Sequence, residues 1–197
     1  MAELDNALIE EARQDPRAFG ELVLRYQDRL HNFLYRMTGN REDAQDLTQE
    51  VFIRIYKALP RFRPEAPFRP WMYKIAVNLA INHAKGRRKT AELDDDFPSS
   101  GPLASPENMA VVREVQQTIR RAIMELPDAY RAIVLMRHID ELSYEEIAQT
   151  LEVPLGTAKV RLHRARQLLQ EKLAAAGVKG ELHELHNSEK TPTTLSR

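Results

Sequence analysis

"LSYEEIAQTLEVPLGTAKVRLHRARQLL", residues 142–169, decides how the rest of the chain is read. Ser143 stands where a helix N-cap belongs, and Glu146 three residues on completes a capping box. Ile147, Ala148 and Leu151 form the inner face of a short helix. "EVP" at 152–154 makes a tight turn, and a second helix starts near Leu155. Two helices joined this way form a helix-turn-helix, whose second helix enters the major groove with its N-terminal half against the bases.

A wheel at about 100° per residue sharpens that reading. Ala158, Leu162, Ala165 and Leu169 fall in one narrow arc and face a core. Val160, His163, Arg164 and Gln167 fall opposite and face outward, while Lys159 and Arg166 lie on one flank and Arg161 on the other. The outward set suits base edges and the flanking cations suit phosphates. Arg164 can pair bidentately with guanine, and Val160 can touch a thymine methyl. Thr157, near the helix start, can hold a phosphate together with free N–H groups. The competing reading is a bundle helix with a basic, solvated face.

That concentration of charge sits in a neutral chain: 197 residues carry 29 basic and 29 acidic side chains. The neutrality hides segregation. Residues 60–89 hold eight cations against Glu65, residues 90–108 hold five acids and no cation, and residues 155–172 hold five cations against Glu171. Two basic islands across an acidic bridge point to two contacts with one polyanion. The absence of Cys excludes disulfides and thiolate zinc sites. It fits a reducing compartment, and the expected location is the cytoplasm. The acidic, polar start "MAELDNALIEEARQD" is unlike a secretory signal, and no apolar run reaches the length needed to insert in a membrane.

Apolar spacing of three and four dominates, so the expected fold class is all-α: two small helical domains joined by a flexible linker. Helices are expected over about 3–14, 16–38, 41–59 and 70–86, then 107–126, 128–139, 143–151 and 155–174. Asp15 and Pro16 open the second of these and "GN" at 39–40 closes it. The four prolines of 60–70 read as an ordered, non-helical loop. The domain boundaries read as 1–89, an acidic linker at 90–108, 109–174, and a polar tail at 175–197.

The upstream island differs in kind. "RFRPEAPFRPWMYKIAVNLAINHAKGRRK", 61–89, interleaves Arg61, Lys74, Lys85, Arg87 and Arg88 with Phe62, Phe68, Trp71 and Tyr73. Cations beside aromatic rings suit unstacked bases. Lys74, Asn78, Asn82 and Lys85 make a polar stripe on one helix, and Asn offers a base edge both a donor and an acceptor. Core packing is the competing reading for the aromatics, and the favoured one for Trp71 taken alone.

"DAQDLTQEVFIRIYKAL", "FRPWMYKIAVNLAINHAKGRR", a linker, "LPDAYRAIVLMRHIDELSYEEIAQTL" and "VPLGTAKVRLHRARQLL" stand in the order of a known family. The chain resembles bacterial sigma factors of the sigma-70 family, extracytoplasmic-function group, over about residues 5–173. The resemblance implies a domain of region 2 type followed by one of region 4 type. It implies that 43–59 docks on the β′ clamp coiled coil of core RNA polymerase through Asp46, Gln49, Glu50, Phe52, Arg54 and Tyr56. It implies that 61–70 and the next helix melt the minus-ten element and hold a flipped base, with Asn78 foremost. It further implies that 109–173 sits on the β flap and reads the minus-thirty-five element as duplex through Lys159, Val160, His163 and Arg164. A cognate anti-sigma protein is an expected partner, and a stress or envelope-response regulon the expected target. No bond chemistry is expected of such a factor.

The linker's length is compatible with that reading. Its nineteen residues reach at most about 63 Å at ~3.3 Å each, or roughly 18 base pairs of duplex. Its "LDDDF" reads as an imitation of nucleic acid, with a simple solvated tether as the alternative. The main rival is a helix-turn-helix regulator acting without polymerase. An enzyme has less support: P-loop, G-x-S-x-G and H-E-x-x-H motifs are missing. "HELH" at 183–186 reads as polar tail rather than a metal site, and no cofactor is expected.

Overall fold

The computed structural model describes residues 2–62, 67–87 and 106–178. All regular structure among them is helical: α1 (Ala2–Gln14), α2 (Pro16–Thr38), α3 (Arg41–Ala58), a 3-10 turn (Leu59–Arg61), α4 (Phe68–Arg87), α5 (Pro106–Met124), α6 (Asp128–His138), α7 (Tyr144–Leu151) and α8 (Leu155–Ala175).

Local chemistry sets most boundaries. The Asp15 carboxylate accepts from the Arg17 N–H at 2.8 Å, with Pro16 opening the helix where no N–H is needed. Gly39 closes α2 at φ 73°, a left-handed conformation that favours glycine, and its N–H donates to the Tyr35 carbonyl at 2.8 Å. The Asn40 side chain then caps α3 by accepting from the Asp43 N–H at 3.0 Å. Two boundaries differ from the sequence reading. α4 starts at Phe68 rather than 70, since Pro70 falls in the first turn, where a missing N–H costs nothing. α5 starts at Pro106, inside the expected linker. The rest of that linker and most of the tail, including 183–186, lie outside the described residues.

In the first unit α1 and α3 pack on α2, and α4 closes the layer against α3. Leu22, Leu30, Phe33, Val51, Ile55, Met72 and Tyr73 are its centre. In the second unit α5, α6 and α7 pack around α8, with Leu126, Ile133, Leu135, Ile147, Leu162 and Leu169 inside. Each such side chain, removed from water, contributes roughly 1.5–3 kcal/mol. The units also touch: α4 meets α7, and α2 meets α6. At that junction Arg131 is buried, and its guanidinium donates to the Met37 carbonyl at 2.7 Å and the Leu126 carbonyl at 3.0 Å. Arg120 donates to the Gly39 carbonyl at 3.1 Å. Two cations thus meet the negative end of the α2 dipole.

Candidate nucleic-acid interface

The helix-turn-helix is built as its sequence predicts. The Ser143 hydroxyl accepts from the Glu146 N–H at 3.1 Å, and the Glu146 carboxylate accepts from the Ser143 N–H at 2.7 Å. Glu152 takes the left-handed conformation, φ 52°, that ends α7, and the Val153 N–H returns to the Ala148 carbonyl at 3.0 Å. α8 leaves this turn with Ala158, Leu162, Ala165 and Leu169 all at 1 % exposure or less. Val160 is 67 % exposed, and Lys159, Arg161, His163, Arg164 and Gln167 share its solvent face. Thr157 is half-buried at the helix start.

The flanks are less uniform than the wheel implies. Lys159 Nζ sits 5.7 Å from the centre of the Tyr144 ring, a cation–π contact that steadies it near α7. Arg166 turns back onto α6 and donates to His138 Nε2 at 3.1 Å. It is engaged inside the unit rather than extended as a phosphate clamp.

The upstream island divides into an open and a closed half. Asn78, Asn82 and Lys85 are exposed in a line along α4, and Arg61 is exposed before it. Phe62 and Phe68, expected against bases, are 6 % and 2 % exposed. The early start of α4 turns Phe68 inward, onto Tyr26 at 5.3 Å between ring centres and Phe62 at 6.2 Å. Trp71 is half-buried and leans on Phe62 at 4.6 Å. Tyr73 is fully buried, edge-on to Phe33 at 5.1 Å. The aromatic cluster is therefore a wall beneath the basic surface, with Trp71 at its rim. Lys74 pairs with Glu152 of the helix-turn-helix at 2.6 Å. Arg87 is the last residue of α4, and Arg88 lies outside the described residues.

On α3, Asp46, Gln49 and Tyr56 are exposed; Glu50 and Arg54 pair with each other at 2.7 Å. Phe52 is 7 % exposed and meets Phe19 edge-on, so it belongs to the core and not to a docking face. Ile53, which the sequence reading passed over, is 46 % exposed. It continues the stripe of Asp46, Gln49 and Tyr56, because helical spacing places positions three, four and seven apart on one face. Its opposition to Val51 and Ile55 on a wheel is the signal that finds it.

Among the described residues no helix is long and apolar enough to cross a membrane, and no His, Cys, Asp or Glu cluster could hold a metal. A pair of helical units, one carrying a helix-turn-helix with an exposed cationic helix and the other a polar, cationic helix face, marks the class of DNA-binding proteins. The Sigma-70 region 2 model matches residues 22–90, and the Sigma-70 region 4 model matches residues 116–169. The chain is 36 % identical over 169 residues to the ECF RNA polymerase sigma factor SigW of Bacillus subtilis, covering 81 % of this chain and 90 % of that one. It is 38 % identical over 182 residues to the RNA polymerase sigma-H factor of Pseudomonas aeruginosa, covering 87 % and 94 %. Among solved structures it is similar to CnrH in complex with the cytosolic domain of CnrY, with a TM-score of 0.66, 26 % identity, and coverage of 87 % and 97 %. The chain belongs to the sigma-70 family, in its extracytoplasmic-function group: it is a polymerase-binding initiation factor and not an enzyme.

Proposed function

We propose that this sigma factor divides its work among three surfaces. The α3 stripe of Asp46, Gln49, Ile53 and Tyr56 docks on the β′ clamp coiled coil of core RNA polymerase, while Phe52 supports it from beneath. The unit 109–174 rests on the β flap and presents α8 to minus-thirty-five duplex, where Arg164, Val160 and His163 face the bases and Lys159 and Arg161 face phosphates. The α4 face of Trp71, Lys74, Asn78, Asn82 and Lys85, with Arg61 from the turn before it, takes the melted minus-ten strand, with Asn78 against a flipped base. Unstacking one base costs a few kcal/mol, which these amides and the Trp71 rim offset. The domain limits are those read from the sequence, 1–89 and 109–174, with the second beginning in α5. The target is a stress or envelope-response regulon in the cytoplasm. A cognate anti-sigma protein holds the factor inactive, a reading supported by the similarity to CnrH bound to CnrY.

The observation that carries this reading is the outward exposure of Val160, His163 and Arg164 above a dry α8 seam. The partition of surfaces is tested by pairing two variants. Ile53→Glu with Tyr56→Ala should weaken core-polymerase binding at least tenfold and leave duplex binding unchanged. Asn78→Ala should slow promoter opening while core binding and closed-complex formation stay intact. Loss of core affinity in Asn78→Ala equal to that of the α3 variant would refute the division.

A further inference from the structure

Tyr144 is the first residue of α7, and its backbone is fixed there by the capping box of Ser143 and Glu146. Its half-buried ring meets a cation from each neighbouring helix. Arg137, in the last turn of α6, holds Cζ 5.2 Å from the ring centre, and Lys159 of α8 holds Nζ at 5.7 Å.

The two cations differ in freedom. Arg137 is half-buried, and its Nη1 donates to the Leu142 carbonyl at 2.9 Å, which ties it to the bend before α7. Lys159 is exposed, and among the described residues it has the Tyr144 ring and no carboxylate as its partner. Other cations nearby are held differently. Lys172, further along α8, pairs with Glu125 at 2.7 Å, Lys74 pairs with Glu152 at 2.6 Å, and Arg166 donates Nε to His138. A carboxylate partner neutralises a cation and has to be displaced before a phosphate takes its place. An aromatic face attracts an ammonium through its quadrupole and leaves the charge whole. The ammonium has three donors, and those turned away from the ring stay open to a further acceptor.

We propose that Tyr144 is a positioning residue for duplex recognition: Arg137 fixes its ring, and the ring holds the Lys159 ammonium at the edge of the α8 reading face, fully charged and set for one DNA phosphate. The inference deepens the duplex assignment of α8 and rests on it. A lysine loses much of its rotamer freedom when its ammonium is pinned on a phosphate. In this chain part of that freedom is already given up in the free protein, so less is lost on binding. Arg161 and Arg164, exposed on the same helix, have no such ring contact.

The geometry is read first in the full chain without DNA: the Lys159 Hε resonances should be shifted upfield by the Tyr144 ring current. Affinity is then measured by anisotropy on a labelled duplex that the full chain selects from a random-sequence pool. Tyr144→Leu should weaken binding about two- to fivefold, the worth of an exposed cation–π contact, and Tyr144→Phe, which keeps the ring face, should restore it. Lys159→Gln should weaken binding and lower the slope of log affinity against log salt by about 0.9, one phosphate's share. In the Lys159→Gln background Tyr144→Leu should have no further effect. An equal loss in both backgrounds would make Tyr144 a purely structural residue and overturn the proposal, as would unshifted Lys159 resonances or failure of Tyr144→Phe to restore binding. Tighter binding in Tyr144→Leu would also overturn it, because the ring would then be holding Lys159 away from the duplex. Each of those results leaves the phosphate contact of Lys159 standing. Lys159→Gln with neither affinity nor slope changed would instead overturn the phosphate assignment itself, and the proposal with it.

Discussion

Arg164 and Asp140 are opposite uses of one charged residue. Arg164 stands in water on α8, free to meet a base edge; Asp140 is taken out of water to hold two units together. Arg164→Ala removes a bidentate contact of the kind that discriminates among bases by roughly 1–3 kcal/mol. Affinity for minus-thirty-five duplex should fall by that amount, read by anisotropy titration, with core-polymerase binding unchanged. Burial pushes the Asp140 carboxyl up to about 6, against the opposing pull of Tyr73, Arg29, Arg69 and Arg36. A carboxyl raised where the units touch binds its proton more readily there than in water, so protonation favours the contact. The contact should be strongest below pH ~4 and weaken as pH rises through about 6, by up to roughly 3 kcal/mol. The thermal unfolding midpoint should therefore gain more from the contact between the units at pH 5 than at pH 7.5. In Asp140→Asn, which keeps the neutral form at every pH, that dependence should vanish.

At the scale of elements, α8 shows why a wheel can succeed. Its buried and exposed faces are set by one seam, so the four-residue arc in the sequence became four of the helix's five buried residues, Leu173 being the fifth. Leu162, at 1 % exposure, lies at the centre of that seam. Leu162→Ala should cost about 2–5 kcal/mol and lower the melting temperature of the second unit. Tyr144 and His138 were not legible as the anchors of Lys159 and Arg166, because those contacts cross between helices that periodicity treats one at a time. The aromatic island failed for a related reason. Alternation of Phe, Arg and Pro says nothing of where α4 begins, and a start at Phe68 sends Phe62 and Phe68 into the core. Phe52 and Ile53 are neighbours in sequence with opposite fates: a wheel sets Ile53 against Val51 and Ile55, whereas the packing of Phe52 on Phe19 of α2 crosses between helices. Capping residues were read correctly because their hydrogen bonds are local: Asp15 and Ser143 act within three residues.

At the scale of the whole molecule, composition signalled two basic surfaces, but not that Arg69 and Lys74 at the leading end of one would meet the other unit. Glu152 and Lys74 are 78 residues apart, a pairing that no local pattern encodes. Net neutrality acquires a use in that light: acids of the second unit meet cations of the first. The central claim is that this chain gives core polymerase its promoter specificity through two separated DNA contacts. Run-off transcription with core polymerase and a promoter library tests it most directly. The account predicts transcripts from a defined subset of promoters only when the chain is present, reduced in both Arg164→Ala and Asn78→Ala. Duplex binding by the chain alone, with no promoter-specific transcript from any member of the library, would contradict it.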